Sequence, residues 1–154
     1  NENKHHNMIG ESYDLIPGLE ENRYWFDSIG NRGTILKEVV YQKMKPGKYN
    51  LAFGDVIGGR LRDEVISNNL DFVKVMNTVV KTVYDFTEKR PNVVIQIKAV
   101  DGKRLRFYNL IIKRHWKEID EHFSVRGKRG KRFESYREDQ FYQAFEVKRK
   151  NLNS

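Results

Sequence analysis

A run of apolar residues at helical spacing, closed at both ends, constrains this chain most. Phe72, Val73, Met76, Val79, Val80, Val83 and Phe86 recur at intervals that place them on one face of an α-helix. Ahead of them Ser67-Asn68-Asn69 offers N-cap side chains, and Asp71 suits the positive end of the helix dipole. Lys89 and Arg90 complement the other end, and Pro91 stops the helix. The valines lower intrinsic helix propensity, so this helix holds only if its apolar stripe is buried against something else.

A sheet is available to bury it. Tyr24 to Ser28 and Thr34 to Met44 read as paired strands around Gly30-Asn31-Arg32-Gly33. In the second, Ile35, Val39 and Tyr41 recur at period two with Lys37 and Lys43 interspersed, which suggests a half-buried strand. Lys45-Pro46-Gly47-Lys48 turns the chain into a third strand, Tyr49 to Val56, and the stretch Gly54 to Arg62 reads as a loop. Beyond Pro91, Val93, Ile95, Ile97 and Ala99 alternate with Val94, Gln96 and Lys98 as another strand. Asp101-Gly102 leads into a second helix, about Lys103 to Phe123. On a helical wheel its Leu105, Tyr108, Ile112, Trp116, Ile119 and Phe123 share an arc of roughly 80°. Ser124 to Tyr136 reads as a hairpin, and Phe141 to Lys148 as a last strand. Residues 1–22 form a lead-in in which Tyr13, Leu15 and Ile16 suggest an edge strand, and 151–154 a tail. The predicted order is β-β-β-α-β-α-β-β: an α+β single domain over 23–150, with a mainly antiparallel sheet and two packed helices.

At 154 residues the chain is long enough to bury roughly two-thirds of its surface in one core. Zero cysteines exclude a disulfide scaffold, cysteine-ligated zinc and thiol catalysis. No apolar run approaches the ~18–20 residues that span a bilayer, and Asn-Glu-Asn-Lys-His-His is no signal peptide. The expectation is a soluble, cytoplasmic protein without a membrane role.

The net charge of +8 is unevenly distributed. Up to Arg90 there are 13 basic and 13 acidic residues; from Pro91 onward there are 16 and 8. The excess therefore belongs to the second half, where it would attract nucleic acid, an anionic membrane surface or an acidic protein partner. Two clusters carry it. At the start of the second helix Lys103, Arg104 and Arg106 crowd the end where the dipole disfavours cations and favours a bound anion. Lys103, Arg106, Lys113, Arg114 and Lys117 then share an arc of about 100° beside the apolar stripe. In the hairpin, Arg126, Lys128, Arg129, Lys131 and Arg132 place five cations in seven residues. Phe133 and Tyr136 beside them are either base-stacking rings or the inward face of the strand.

Several stretches, taken in order, resemble a family of small bacterial single-domain proteins of unknown function. They are Phe26-Asp27-Ser28-Ile29-Gly30, Asn50-Leu51-Ala52-Phe53-Gly54-Asp55, Ser67-Asn68-Asn69-Leu70-Asp71, Arg104-Leu105-Arg106-Phe107-Tyr108 and Tyr142 to Lys150. The resemblance covers about residues 24–150 and implies a fold without an activity. The family pattern has a Gly-Ser-Thr-type turn before an Arg-x-Arg-x-Tyr helix start. Here the turn reads Val100-Asp101-Gly102-Lys103, while Arg104, Arg106 and Tyr108 match.

Three functions follow as expectations. The first is a nucleic-acid-binding module for RNA or single-stranded DNA, gripping phosphate through the second helix (with Tyr108) and the hairpin; no helix-turn-helix or zinc-finger pattern points to duplex DNA. The second is a toxin-like, metal-independent ribonuclease with His115 as general base and Arg104, Arg106 and Tyr108 around the phosphorane. The third is an interaction subunit that meets an acidic protein. No cofactor is expected. No carboxylate spacing fixes a divalent cation, Asp63-Glu64 included, and His5-His6 offers only adventitious nickel binding. Asp55, at a strand end, reads as a structural turn residue.

Overall fold

The computed structural model describes residues 10–63 and 67–151, so His5-His6 and Glu64 lie outside the described residues. The strands are β1 (Arg23–Gly30), β2 (Gly33–Lys45), β3 (Lys48–Ile57), β4 (Arg60–Arg62), β5 (Val94–Lys98), β6 (Phe123–Arg129), β7 (Arg132–Ser135) and β8 (Ala144–Arg149). The helices are α1 (Phe72–Lys89), α2 (Gly102–Arg114) and α3 (Trp116–His122). Strands hydrogen-bond in the order β1-β2-β3-β5-β8-β6-β7, with β4 on β3. β3 and β5 are parallel, whereas β1–β2, β3–β4, β5–β8, β6–β8 and β6–β7 are antiparallel. The class is α+β with a mostly antiparallel sheet, as the sequence predicts. No described helix is long and apolar enough to cross a membrane.

The chain gathers into two compact units. The first holds residues up to Tyr41 together with Ala52–Glu88. Its β1 and β2 close around a two-residue turn, Asn31-Arg32, with Gly30 opposite Gly33. Its core stacks rings: Phe26 on Phe53, Tyr13 on Phe26, and Tyr41 on Phe86 at 4.1 Å between centroids. α1 buries Val75, Met76, Val79, Val83 and Phe86, whereas Val73 is exposed. The buried stripe is rotated from the predicted one because Thr78, Thr82 and Thr87 join it. Each hydroxyl is satisfied within the helix, donating to the carbonyls of Lys74, Val79 and Val83 respectively, so burial costs little.

Three local expectations change here. The predicted loop over Gly54 to Arg62 is a hairpin: Gly58 and Gly59 both take positive φ, the conformation a tight two-residue turn demands, and β4 returns along β3. The predicted lead-in strand is a single antiparallel bridge, Ile16 to Trp25. α1 starts at Phe72, with the Val75 N–H bonding to the Asp71 carbonyl, so Ser67-Asn68-Asn69 lies ahead of the cap.

The second unit comprises Gln42–Leu51 and the residues from Lys89 onward. Ile95, Phe123, Tyr142 and Phe145 are fully buried in it, with Ile111 and Ile112 of α2. The predicted single helix over 103–123 is interrupted at His115 (φ −106°, ψ 16°), beyond which Trp116 packs on Tyr136 at 4.4 Å. Phe123 leaves the helix altogether and opens β6. The last strand starts at Ala144, three residues later than predicted. Tyr142 gives its N–H to Asn109 Oδ1 and its carbonyl accepts from Asn109 Nδ2, both at 2.8 Å, so α2 holds the backbone that a strand would need.

Candidate nucleic-acid interface

Positive charge in the second unit begins at α2. Asp101 caps this helix, its Oδ1 accepting the Arg104 N–H at 2.8 Å. Lys103 and Arg106 in the first turn are exposed. Arg104 is not: its side chain is 7% exposed, and Nε and Nη2 are sealed from solvent without a hydrogen-bond acceptor. Asp101 Oδ2 lies 3.9 Å from Nε, close enough for attraction and too far for a hydrogen bond. Tyr108, one turn on, is buried as well; burial pushes its hydroxyl up to about 12, opposed by the Arg104 charge. Residues 104, 108, 111 and 112 fall on one helix face, and that face is the buried one. Tyr108 thus lies on the buried stripe that the helical wheel gave it, whereas Arg104, expected among the open cations of the helix start, is corrected to the buried side of α2.

Lys113 and Arg114 are exposed in the last turn of α2, where cations suit the dipole. Lys117, also exposed, lies beyond the interruption on α3, so the predicted flank is not one continuous helical stripe. His115 is half-buried with Nε2 sealed from solvent and unpartnered. Burial holds its imidazole below the ordinary histidine value, with Glu118 pulling the other way. Arg104 and His115 are separated by about 16 Å of helix axis at 1.5 Å per residue. Arg104, Arg106, Tyr108 and His115 thus do not form one reacting cluster.

The lowered His115 pKa has a consequence for stability. The unfolded chain binds a proton near pH 6.5 that the folded chain resists, so stability falls as pH drops below about 6.5. His115→Gln should flatten that slope in urea denaturation across pH 5 to 7, whereas an unchanged slope would place the titration elsewhere.

The hairpin β6–β7 turns through Gly130-Lys131, with Arg129 opposite Arg132. Val125 and Gly127 point inward, and Arg126 and Lys128 take the other face. Arg126 lies over the Phe133 ring at 5.7 Å and 3.5 Å from Glu146 Oε1. Arg129 pairs with Glu134 and also bonds Gln140, each at 2.9 Å. Glu134 additionally accepts from the Tyr142 hydroxyl at 2.7 Å, and these bonds hold its carboxyl below the ordinary value. Tyr136 is buried against Trp116, Tyr142 and Phe145, so it belongs to the core and is not a stacking ring.

Phe141 is a residue that sequence reasoning placed in the last strand and so passed over. It is 54% exposed and sits between Gln140, which holds Arg129, and Tyr142. The Gln143 N–H bonds the Lys128 carbonyl at 2.9 Å, which fixes this segment alongside the hairpin. The exposed Phe141 thus belongs to a segment whose backbone runs alongside the hairpin.

Of the eight acidic side chains from Pro91 onward, five lie at ion-pair distance from a described cation, Asp101 from Arg104 among them. Asp120 pairs with Lys150, Asp139 with Arg137, Glu134 with Arg129, and Glu146 with Lys48 and Arg126. Glu118 makes no ion pair with Arg114, and its Oε2 is buried without a hydrogen-bond partner. Among the described residues Lys103, Arg106, Lys113, Arg114, Lys117, Lys128, Lys131 and Arg132 have no carboxylate at ion-pair distance. No three described His, Asp or Glu residues gather closely enough to hold a metal ion.

In the first unit, the stretches that carry the family resemblance meet in a buried polar knot. Lys37 Nζ lies 2.5 Å from Asp55 Oδ1, with both side chains at most 3% exposed. Asp55 Oδ2 accepts the Ser67 N–H, and Lys37 donates to the Ser67 carbonyl. Nearby, Asp71 Oδ2 accepts from the Tyr13 and Ser28 hydroxyls, each at 2.5 Å. Asn69 donates to the carbonyls of Ser28 and Gly33 and accepts the Arg32 N–H. Gly30 packs so closely on Asn69 that a Cβ there would overlap the Asn69 carbonyl. Asp55 is thus an ion-pair partner inside β3 rather than a turn residue, and the knot presents no open reacting group.

Among curated proteins and solved structures nothing matches the chain. A family model does, over residues 10–150, reaching back past the stretch that carries the resemblance to include Tyr13 of the knot. With almost the whole length matched, the chain belongs to DUF6934, a family of unknown function.

Proposed function

We propose that this protein binds single-stranded nucleic acid, RNA or single-stranded DNA, through the basic surface of its second unit, with the β6–β7 hairpin as the principal contact. The observation that carries the reading is a hairpin whose Lys128, Lys131 and Arg132 have no carboxylate at ion-pair distance among the described residues, held alongside the segment that carries the exposed Phe141. Cations without intramolecular partners leave their full charge for phosphates, and an adjacent aromatic face stacks on an unpaired base. The half-buried Phe133 under Arg126 adds a second ring at the hairpin. Lys103, Arg106, Lys113, Arg114 and Lys117 extend the positive field along α2 and α3.

Fluorescence anisotropy with labelled single-stranded RNA, single-stranded DNA and duplex DNA at two salt concentrations tests this. Binding to the single strands should weaken steeply with salt, with a slope of about −0.7 per phosphate contacted. Phe141→Ala should weaken single-strand binding by about 1–3 kcal/mol, the range for one base–aromatic stack, and leave duplex binding unchanged. Absence of binding at low salt would remove the reading and leave an acidic protein as the partner for these cations.

A further inference from the structure

We infer that the first turn of α2 is a binding site for a phosphate monoester dianion, anchored by the buried Arg104 guanidinium. Two independent observations meet there. α2 runs for thirteen residues, and its hydrogen-bond ladder begins at the Leu105 N–H to the Asp101 carbonyl. The cap oxygen of Asp101 takes the Arg104 N–H, while those of Gly102 and Lys103 precede the ladder and point out of the helix end. Beside this end lies a guanidinium more than nine-tenths buried, its Nε and Nη2 without acceptors and its Nε 3.9 Å from the cap carboxylate. A buried cation lacking hydrogen bonds is unfavourable unless an anion completes it. The planar fork of arginine donors matches the paired oxygens of phosphate or carboxylate.

Charge selects among anions. Lys103, Arg104 and Arg106 place three positive charges on this turn against the single carboxylate of Asp101, which leaves room for a dianion. Arg106 folds back over the turn: its Nη1 is 3.6 Å from where a Cβ on Gly102 would stand. The site takes one terminal or free phosphate rather than a run of phosphodiesters, so it holds whether or not the hairpin binds nucleic acid.

The test is amide and arginine Nε–H NMR of the full chain titrated with inorganic phosphate, against sodium chloride at matched ionic strength. Saturable shifts are expected at the Arg104 Nε–H and at the Gly102 and Lys103 amides with phosphate, and not with chloride. Arg106→Ala, a change at an exposed side chain, should weaken phosphate several-fold. Asp101→Asn retains a cap oxygen and removes the opposing charge, so it should tighten phosphate several-fold. A 5′-phosphorylated oligonucleotide, its 5′-hydroxyl counterpart and a nucleoside 5′-monophosphate distinguish the sources. Preference for the phosphorylated strand over the free nucleotide assigns the site to strand ends; equal affinity assigns it to soluble phosphate esters. Shifts that fail to saturate, that chloride reproduces, or that neither variant alters would overturn the inference.

Discussion

Asp55→Ala should destabilise the folded protein by about 3–5 kcal/mol, the range for removing one partner of a buried ion pair. Both partners are shut away from water, with Lys37 at 1% and Asp55 at 3% side-chain exposure, so no solvent replaces the lost carboxylate. The variant strands the Lys37 ammonium and deprives the Ser67 N–H of its acceptor at the same time. Lys37→Met/Asp55→Leu, which removes both charges at similar volume, should recover most of that loss, short of the Ser67 bond. Urea denaturation of the three proteins measures the difference directly. An Asp55→Ala cost below about 1 kcal/mol would mean that the pair is open to water in solution.

Replacing Lys128, Lys131 and Arg132 together by Ala should lower affinity for single-stranded RNA about 100-fold at 0.1 M salt. Three phosphates no longer neutralised reduce the salt slope by about 2, and counterion release at that concentration converts the slope into this factor. Stability should hardly change, since none of the three side chains has an ion-pair partner among the described residues and Lys131 and Arg132 are exposed. The matching control is Arg137→Ala, which removes an exposed cation already paired with Asp139 and should cost far less. Equal losses in the two variants would show that net charge alone, rather than this hairpin, drives binding.

The larger features of the fold were legible because they rest on local periodicity and turn chemistry. α1, the β1–β2 hairpin around Asn31-Arg32 and the basic β6–β7 hairpin all announce themselves that way. Departures arise where tertiary contacts override the period. Lys37 shares the face of Ile35, Val39 and Tyr41, and the middle of β2 from Lys37 to Tyr41 is buried on both faces, so this lysine needs a buried partner, Asp55, that lies 18 positions away. Asp71 reads as a first-turn carboxylate, but its side chain bonds Tyr13 and Ser28, residues 58 and 43 positions away. No window along the sequence contains those partners.

The candidate site was partly legible for the same reason. Composition located the charge in the second half, and spacing identified Lys103, Arg106, Lys113, Arg114 and Lys117 as an outward set, all of which are exposed. Burial of Arg104 could be read only from its place on the face shared with Tyr108, Ile111 and Ile112. Phe141 stays hidden in the sequence because its exposure depends on Asn109, 32 positions earlier, holding the Tyr142 backbone.

The most direct measurement is a map of amide NMR perturbations as unlabelled single-stranded RNA is added to the isotope-labelled chain. Binding through the hairpin predicts the largest shifts at Lys128 to Arg132 and at Gln140 to Phe141, reversed by added salt, with the Lys37–Asp55 knot unmoved. Shifts concentrated in the first unit, or none at low salt, would contradict the assignment of this surface to nucleic acid.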